Sequence, residues 1–402
     1  MDVVSRRLRG IKASATVELN ALAMRLQKEG RQQILNLCAG EPDFPTAENI
    51  VNAAKAAMDN GNTRYTASDG IVELKSAISK KLQMENGHKY TNDQIIVSSG
   101  GKEVIFNAMF ASLNSGDEVI IPAPYWVSYP DIVNIAEGKA VIVPCGEEDG
   151  FKLTASALND SITDNTKWLI LNSPSNPTGA VYSREELQEL AEVLLTYPHV
   201  HIMTDDIYEH LLYDGKEFVS IHGVCPELFG RVLVVNGVSK SYAMTGWRIG
   251  YGAGNIELVR AMKTLQSQST TCPCSVSQWA ALEALTGDQS LLAERRQVFQ
   301  DRRERFVSKI NDIPGLSCIM PDGAFYMWVC CADYIGKTTL EGSVIVNDED
   351  FVKFLLTNAG VATVHGKAFG LSPYFRISYA TSDTVLEQAC DRITQACSML
   401  RS

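Results

Sequence analysis

Residues 235–252 read V-N-G-V-S-K-S-Y-A-M-T-G-W-R-I-G-Y-G, directly after Val232-Leu233-Val234. The run Val232 to Val235 is continuously aliphatic and stops at Asn236-Gly237. A half-exposed strand would alternate, so an unbroken apolar run predicts a strand buried on both faces, as in a parallel sheet. Open α/β sheets place ligands beyond the carboxyl ends of such strands. Here that loop carries Lys240 among small and apolar neighbours, which would strip its ammonium of water and favour the neutral, nucleophilic amine. Arg248 follows, with a planar guanidinium suited to gripping a phosphate through two bonds. A lone lysine in a turn is ordinarily solvated surface, so this reading depends on the rest of the chain.

Working outward, strands are expected over 95–98, 118–121, 140–143, 167–171, 200–204, 231–235 and 248–253. Helices are expected over 102–112, 127–136, 184–196, 255–266 and 275–286. Ser183 and Glu186 form an S-x-x-E capping box at the start of one of them. This βαβ rhythm predicts an α/β fold with a mostly parallel sheet flanked by helices. Before it come a helical pattern over 16–29, a short strand over 34–37, the turn A-G-E-P-D-F-P at 39–45, and helices over 47–59 and from Gly70 to Asn86. After Gly287-Asp288 a charged helix over 289–311 changes the texture. Shorter elements follow irregularly over 316–319, 324–330, 350–358, 361–364, 374–379 and 383–400, which predicts a smaller α/β domain. The expected organisation is an N-terminal segment, 1–45, joining the small domain; a large domain, 46–288; and a small C-terminal domain, 289–402.

Composition excludes several classes. At 402 residues, 45% hydrophobic and 21% charged, the chain has an ordinary globular profile and room for two cores. The net charge is −11 and the basic residues near the start are scattered, so no nucleic-acid partner is expected. No stretch approaches the roughly 20 apolar residues that span a bilayer, so no membrane partner is expected. An apolar signal core is absent from the start, which predicts a cytoplasmic protein. Ten scattered cysteines in a chain of this size read as reduced thiols, and neither they nor the six histidines have metal-ligand spacing, so no metal is expected.

Several further turns fall at predicted strand ends. Ser99-Gly100-Gly101-Lys102 opens a helix, whose first N–H groups bind phosphate without a side chain. The rigid loop Asn172-Ser173-Pro174-Ser175-Asn176-Pro177-Thr178-Gly179 projects the Asn176 amide, in a segment that reads equally as a structural Asx turn. In Thr204-Asp205-Asp206-Ile207-Tyr208, a carboxylate at a strand end is placed to pair with a protonated pyridine nitrogen, and a tyrosine to bond a phenolic oxygen. Trp126, in Y-W-V-S-Y-P, is an aromatic cover or a core residue. Arg376 stands alone in the apolar run F-R-I-S-Y, and a buried arginine calls for an anion such as an α-carboxylate. An amine able to form a Schiff base, beside a phosphate clamp, suggests pyridoxal phosphate chemistry.

Taken together, A-G-E-P-D-F, G-G-K, Y-W-V-S-Y-P, N-S-P-S-N-P-T-G, D-x-I-Y, S-K-S-Y-A-M-T-G-W-R-I-G-Y and F-R-I-S-Y resemble, in order, the class I/II aminotransferases of fold type I. With A-S-A-T-V at 13–17 and S-Q-S-T-T at 267–271, the resemblance narrows to the prokaryotic aspartate aminotransferase subgroup. It implies a seven-stranded sheet in the large, cofactor-binding domain, pyridoxal 5'-phosphate as cofactor, and a homodimer with shared active sites. Lys240 would be the catalytic residue, bonding the cofactor and then shuttling the Cα proton. Asp205 would face the pyridine nitrogen, and Tyr208 and Asn176 the phenolic oxygen. Gly101, Lys102 and Arg248 would hold the phosphate, together with Tyr65 from the partner subunit. Trp126 would stack on the ring, and Arg376 would bind the α-carboxylate with help from Asn176 and Gly40.

The resemblance implies amino acid and 2-oxo acid substrates, aspartate with 2-oxoglutarate first, in a ping-pong cycle. Lys102 resembles the residue that reaches a distal carboxylate. Prephenate or aromatic transamination is the alternative, since Lys12 adjoins the A-S-A-T segment, and a β-lyase is a further option. The chain departs from the family at Gly237, where many relatives carry a phosphate-binding serine, and at His365-Gly366, where Pro-Gly is usual. A non-enzymatic sensor would need an added basic helix-turn-helix domain, for which no residues precede position 13. A dehydrogenase would need a G-x-G-x-x-G after a strand, and none is found.

Overall fold

The apolar runs of the sequence become the inner strands of a large sheet. The computed structural model describes residues 3–11, 19, 21–23, 25, 28 and 33–401. In chain order its strands are β1 (Leu35–Asn36), β2 (Ile95–Ser98), β3 (Glu118–Ala123), β4 (Lys139–Pro144), β5 (Thr166–Asn172), β6 (His201–Asp205) and β7 (Val232–Gly237). Then come β8 (Gly250–Ala253), β9 (Ser317–Cys318), β10 (Tyr326–Cys330), β11 (Val361–Ala362), β12 (Val364–His365) and β13 (Tyr374–Ser378). Seven of them form one sheet in the order β2-β8-β7-β6-β5-β3-β4. Neighbours pair in parallel except at β8, which runs antiparallel to both β2 and β7.

Alternate side chains of a strand point to opposite faces, and both faces of this sheet are covered. Leu169, Leu171, Ile202, Val232 and Val234 enter one core with Leu74 and Ile78 of helix Val72–Asn86, Leu187 and Leu190 of helix Arg184–Thr196, and Ala280 of helix Ser275–Thr286. Ile170, Met203, Leu233 and Val235 enter another with Val104 and Met109 of helix Gly101–Ser112 and Met262 of helix Ile256–Gln268. Each Val, Leu, Ile or Met side chain among them contributes roughly 1.5–3 kcal/mol by leaving water. Two dry faces therefore hold the strand ends, and the loops leaving them, in fixed places.

A second sheet, in the order β12-β13-β10-β9, is antiparallel throughout. Its core includes Trp328, Phe375 and Ile377, Phe299 and Phe306 from helix Ser290–Asn311, and Leu386 and Ile393 from helix Asp383–Ser398. The chain's early segment packs there too, since β1 pairs in parallel with β11. Helix Ser290–Asn311 ties these parts together. Arg302 grips Asp43 through two bonds of 2.8 and 2.9 Å, and Arg303 grips Asp214 through two of 2.8 Å.

The capping box is present as read, with Glu186 N–H donating to Ser183 Oγ at 3.2 Å and Ser183 N–H to the Glu186 carboxylate at 2.7 Å. Two expected elements differ in the structure, and one helix is added. The one element expected over 361–364 is two strands in different sheets, β11 and β12, because an apolar run does not reveal which partner each half finds. The element expected over 350–358 is a helix that starts earlier, at Asp348, where Asn347 caps the Asp350 N–H at 3.1 Å, and it passes into π-helical turns at Leu355–Ala359. Helix Ala155–Ser161 was not foreseen, since Leu158 is its one buried side chain and leaves no periodic trace. Lys12, the segment 13–17 and most of the helix expected over 16–29 lie outside the described residues; positions 19, 21–23, 25 and 28 are helical. Among the described residues no helix is long and apolar enough to cross a membrane.

Candidate active site

Five strands of the large sheet end at one cavity of about 440 Å³. Beyond β2 come Gly101 and Lys102, beyond β3 Trp126, beyond β5 Asn176, beyond β6 Tyr208 with Asp205 at the strand end, and beyond β7 Lys240 and then Arg248. The facing wall is made by Cys38, Gly40 and Glu41 of the early segment and by Tyr326 and Arg376 of the second sheet. Every site residue expected from the sequence lines this cavity except Tyr65, which is 88% exposed and lies outside the wall of its own chain.

Lys240 Nζ donates to the Gly40 carbonyl and lies 5.9 Å from the centre of the Tyr208 ring. Removal from water, and then the charge of Arg376, lowers its pKa to about 8, bringing a neutral amine within reach. Asp205 moves the other way. Burial raises its carboxyl to about 6, against the opposing pull of a 2.6 Å hydrogen bond from Tyr129 Oη, the Ile207 N–H and Lys240. A carboxyl so placed gains from any cation brought against it.

Arg248 adopts a left-handed backbone conformation, φ +56°, after the short turn Thr245–Trp247. Its guanidinium donates to two neutral carbonyls, Thr245 O at 2.9 Å and Ser99 O at 3.3 Å, and no carboxylate of the described residues is within ion-pair distance. Two glycines make its position possible. Gly100 has φ +93°, and a methyl group there would lie 2.3 Å from an Arg248 nitrogen; one at Gly250 would lie 2.2 Å from the Gly101 nitrogen. The start of helix Gly101–Ser112 and a guanidinium without an acidic partner thus adjoin, an arrangement that binds anions through N–H donors and charge together.

Arg376 is almost wholly buried and also lacks an acidic partner among the described residues. It donates to Asn176 Oδ1 at 2.8 Å and to the Cys38 carbonyl at 2.7 Å, while its Nε, also buried, has no hydrogen-bond partner among the described residues. Its guanidinium carbon lies 4.4 Å from the centre of the Tyr326 ring and 5.1 Å from that of Phe369. A buried cation held by neutral groups calls for an anion from outside the chain. Tyr208 Oη meets Tyr326 Oη at 2.8 Å.

Lys102 stands at the mouth with its ammonium 4.8 Å over the Trp126 ring, and partial burial followed by the Arg248 charge lowers its pKa. Segment 267–271 does not line this cavity. At Gly237 an added side chain would sit 2.9 Å from the Ile249 carbonyl and 3.0 Å from Gly250 Cα, so the backbone packing here favours glycine over the usual serine. The loop after His365 is held by buried Asp348, which accepts from Lys367 N–H and Ser372 Oγ, each at 2.7 Å. Away from the cavity, Glu85, Glu209 and His210 bring potential metal ligands together, but Lys81 already places its ammonium against both carboxylates.

Sequence reasoning missed Tyr129, Tyr326 and Cys38. Tyr129 lies inside Y-W-V-S-Y-P, where the sequence gives it no role. Tyr326 and Cys38 carried no local signal, since their contacts span 118 and 338 residues of chain.

Residues 32–393 match the family model described as aminotransferase class I and II. The aspartate/prephenate aminotransferase of Cereibacter sphaeroides is 54% identical over 400 residues, covering 100% of both chains. The aspartate aminotransferase of Rhizobium meliloti is 52% identical, covering 98% of this chain and 96% of its own. A crystal structure of an aspartate aminotransferase from Rhizobium meliloti, 51% identical and covering 100% of both chains, superposes with a TM-score of 0.97. The Thermus thermophilus aspartate aminotransferase with maleate superposes with a TM-score of 0.92 at 40% identity, covering 98% of this chain and 100% of its own.

Proposed function

The chain belongs to the class I and II aminotransferases, which depend on pyridoxal phosphate, and on that premise we propose that it transfers the amino group of aspartate to 2-oxoglutarate. Oxaloacetate and glutamate would leave in two separate half-reactions. One observation carries the reading: a buried amine with a lowered pKa, a buried carboxyl with a raised one and two arginines without acidic partners among the described residues converge on one cavity.

The residues present fit the cofactor. Arg248 and the N–H groups of Gly101 and Lys102 form a cradle for its phosphate, closed by the glycine at 100 that leaves room for the guanidinium. Asp205 would keep a proton on the ring nitrogen, and its raised pKa supports that pairing. Tyr208 would donate to the phenolic oxygen. Asn176, whose Oδ1 already accepts from Arg376, keeps its Nδ2 donor for that oxygen or for substrate. Trp126 would cover the ring. When bound, pyridoxal phosphate supplies a sink for the electron pair left as the substrate loses its Cα proton.

Lys240 Nζ is the base that takes that proton; burial supports it by lowering the pKa to about 8, so that the neutral amine is accessible near physiological pH. Arg376, with Asn176 and the Gly40 backbone, would bind the α-carboxylate and so orient the Cα–H bond. Lys102 would meet the distal carboxylate of aspartate. Prephenate is a second acceptor to weigh, because the Cereibacter relative carries that substrate in its name.

We place the boundaries at 1–45, 46–288 and 289–402, on the pairing of β1 with β11 and the change of sheet after β8. A homodimer with shared sites is part of the reading, supported by the exposure of Tyr65, which would reach the partner's phosphate. Free thiols at all ten cysteines support a reducing, cytoplasmic setting. Oxaloacetate formation by the loaded protein from aspartate and 2-oxoglutarate, beside the same assay with prephenate as acceptor, tests the assignment. Turnover with neither acceptor would overturn it.

A further inference from the structure

Tyr208 follows a strand of the large sheet and Tyr326 begins β10 of the other, yet their hydroxyls meet at 2.8 Å with both rings buried. The Arg376 guanidinium lies over the Tyr326 ring. The Gly40 backbone, whose carbonyl accepts from Lys240, passes so close that a methyl group there would lie 2.9 Å from Tyr326 Oη. Arg376, Asp205 and Lys240 are the charged groups that face this pair.

A neutral phenol has one proton to donate, and burial keeps both of these phenols neutral by pushing their pKa values upward. If Tyr208 spends its proton on the cofactor's phenolic oxygen, the proton in the 2.8 Å contact belongs to Tyr326. Hydrogen bonds in such a chain polarise one another, so an acceptor that receives a bond becomes a better donor. We propose that Tyr326 is a positioning residue for the reaction: its hydroxyl donates to Tyr208 and thereby strengthens the bond that Tyr208 gives to the cofactor oxygen. The inference rests on the role proposed above for Tyr208. It also joins the carboxylate-binding wall to the cofactor-binding wall through one side chain.

The visible absorption band of the Lys240-bound cofactor, titrated against pH, reads the negative charge on that oxygen. Tyr326→Phe keeps the ring under Arg376 and removes only the hydroxyl. Its titration midpoint should rise by about half a pH unit to one unit, the size of one net hydrogen bond, while the KM for aspartate stays within about twofold. Tyr208→Phe should raise the midpoint further, and adding Tyr326→Phe to it should change nothing more. Gly40→Ala, which displaces the hydroxyl without altering Tyr326, gives a second route: a smaller rise that also vanishes in the Tyr208→Phe background. An unchanged midpoint in Tyr326→Phe, or equal shifts in both backgrounds, overturns the proposal and leaves the assignment of Tyr208 standing. If Tyr208→Phe itself leaves the midpoint unmoved, the reading of the Tyr208 site fails first.

Discussion

The two arginines of the cavity share a charge and little else. Arg248 is exposed, sits in a left-handed backbone conformation and leans on carbonyls of its own wall, Thr245 and Ser99. Arg376 is buried in an antiparallel sheet, lies over Tyr326 and bonds residues 200 and 338 positions away. The first belongs to a wall assembled from strand-end loops, each placed by the sheet behind it. The second belongs to a wall assembled from side chains of distant segments. On the proposed reading, damage to the first wall impairs the chemistry on the cofactor, and damage to the second impairs the hold on the substrate carboxylate.

The contrast can be broken by mutation. Lys240→Ala should lower kcat for transamination by about ten-thousandfold with the protein still folded, the upper range for loss of a general base; residual turnover close to wild type would detach the chemistry from the loop wall. Arg376→Lys should lower kcat/KM on the order of a hundredfold, mainly through KM, because an ammonium cannot reproduce the planar fork over Tyr326. A loss confined to kcat would mean that the second wall does not hold the carboxylate. Lys102→Ala should cost about tenfold in kcat/KM for aspartate and little for a monocarboxylic amino acid; equal losses on both would remove its role in selection.

The smallest expected effect concerns stability. Asp205 has a folded pKa of about 6 against an ordinary value of 3.8, so between those values the folded chain binds a proton that the unfolded chain has lost. Stability therefore falls as pH rises through that interval and stays lower above it. Stripped of cofactor, Asp205→Asn should melt a few degrees above wild type near neutral pH, with no gain below the ordinary value of 3.8. A variant that melts lower at neutral pH would show that this carboxylate is not a cost of the cofactor-free fold.

The same difference between walls explains what could be read from the sequence. Strands such as β7 announce themselves because both faces are dry, and the loops after them carry their chemistry within a few residues, as Gly101 and Lys102 follow β2. Asp205, Tyr208 and Lys240 were legible for that reason. Arg376 was visible as a charge in an apolar strand, but its supports were not. Tyr326 pairs with Ser378, two residues along β13, and so reaches Arg376 diagonally on the same face, and register across an antiparallel sheet is decided by packing far along the chain. Thr363, where one apolar run parts into two sheets, escaped for the same reason. Gly237 shows the converse: the departure is plain in sequence, and its cause, a carbonyl 2.9 Å from where a side chain would start, is visible only in three dimensions.

On the proposed function, Lys240 Nζ moves the substrate's α-proton in this cavity. Loaded protein in deuterated solvent, given aspartate and no 2-oxo acid, should exchange the aspartate α-hydrogen, and Lys240→Ala should reduce that exchange to the rate of free cofactor in solution. Exchange at the wild-type rate in Lys240→Ala would show that another group moves the proton.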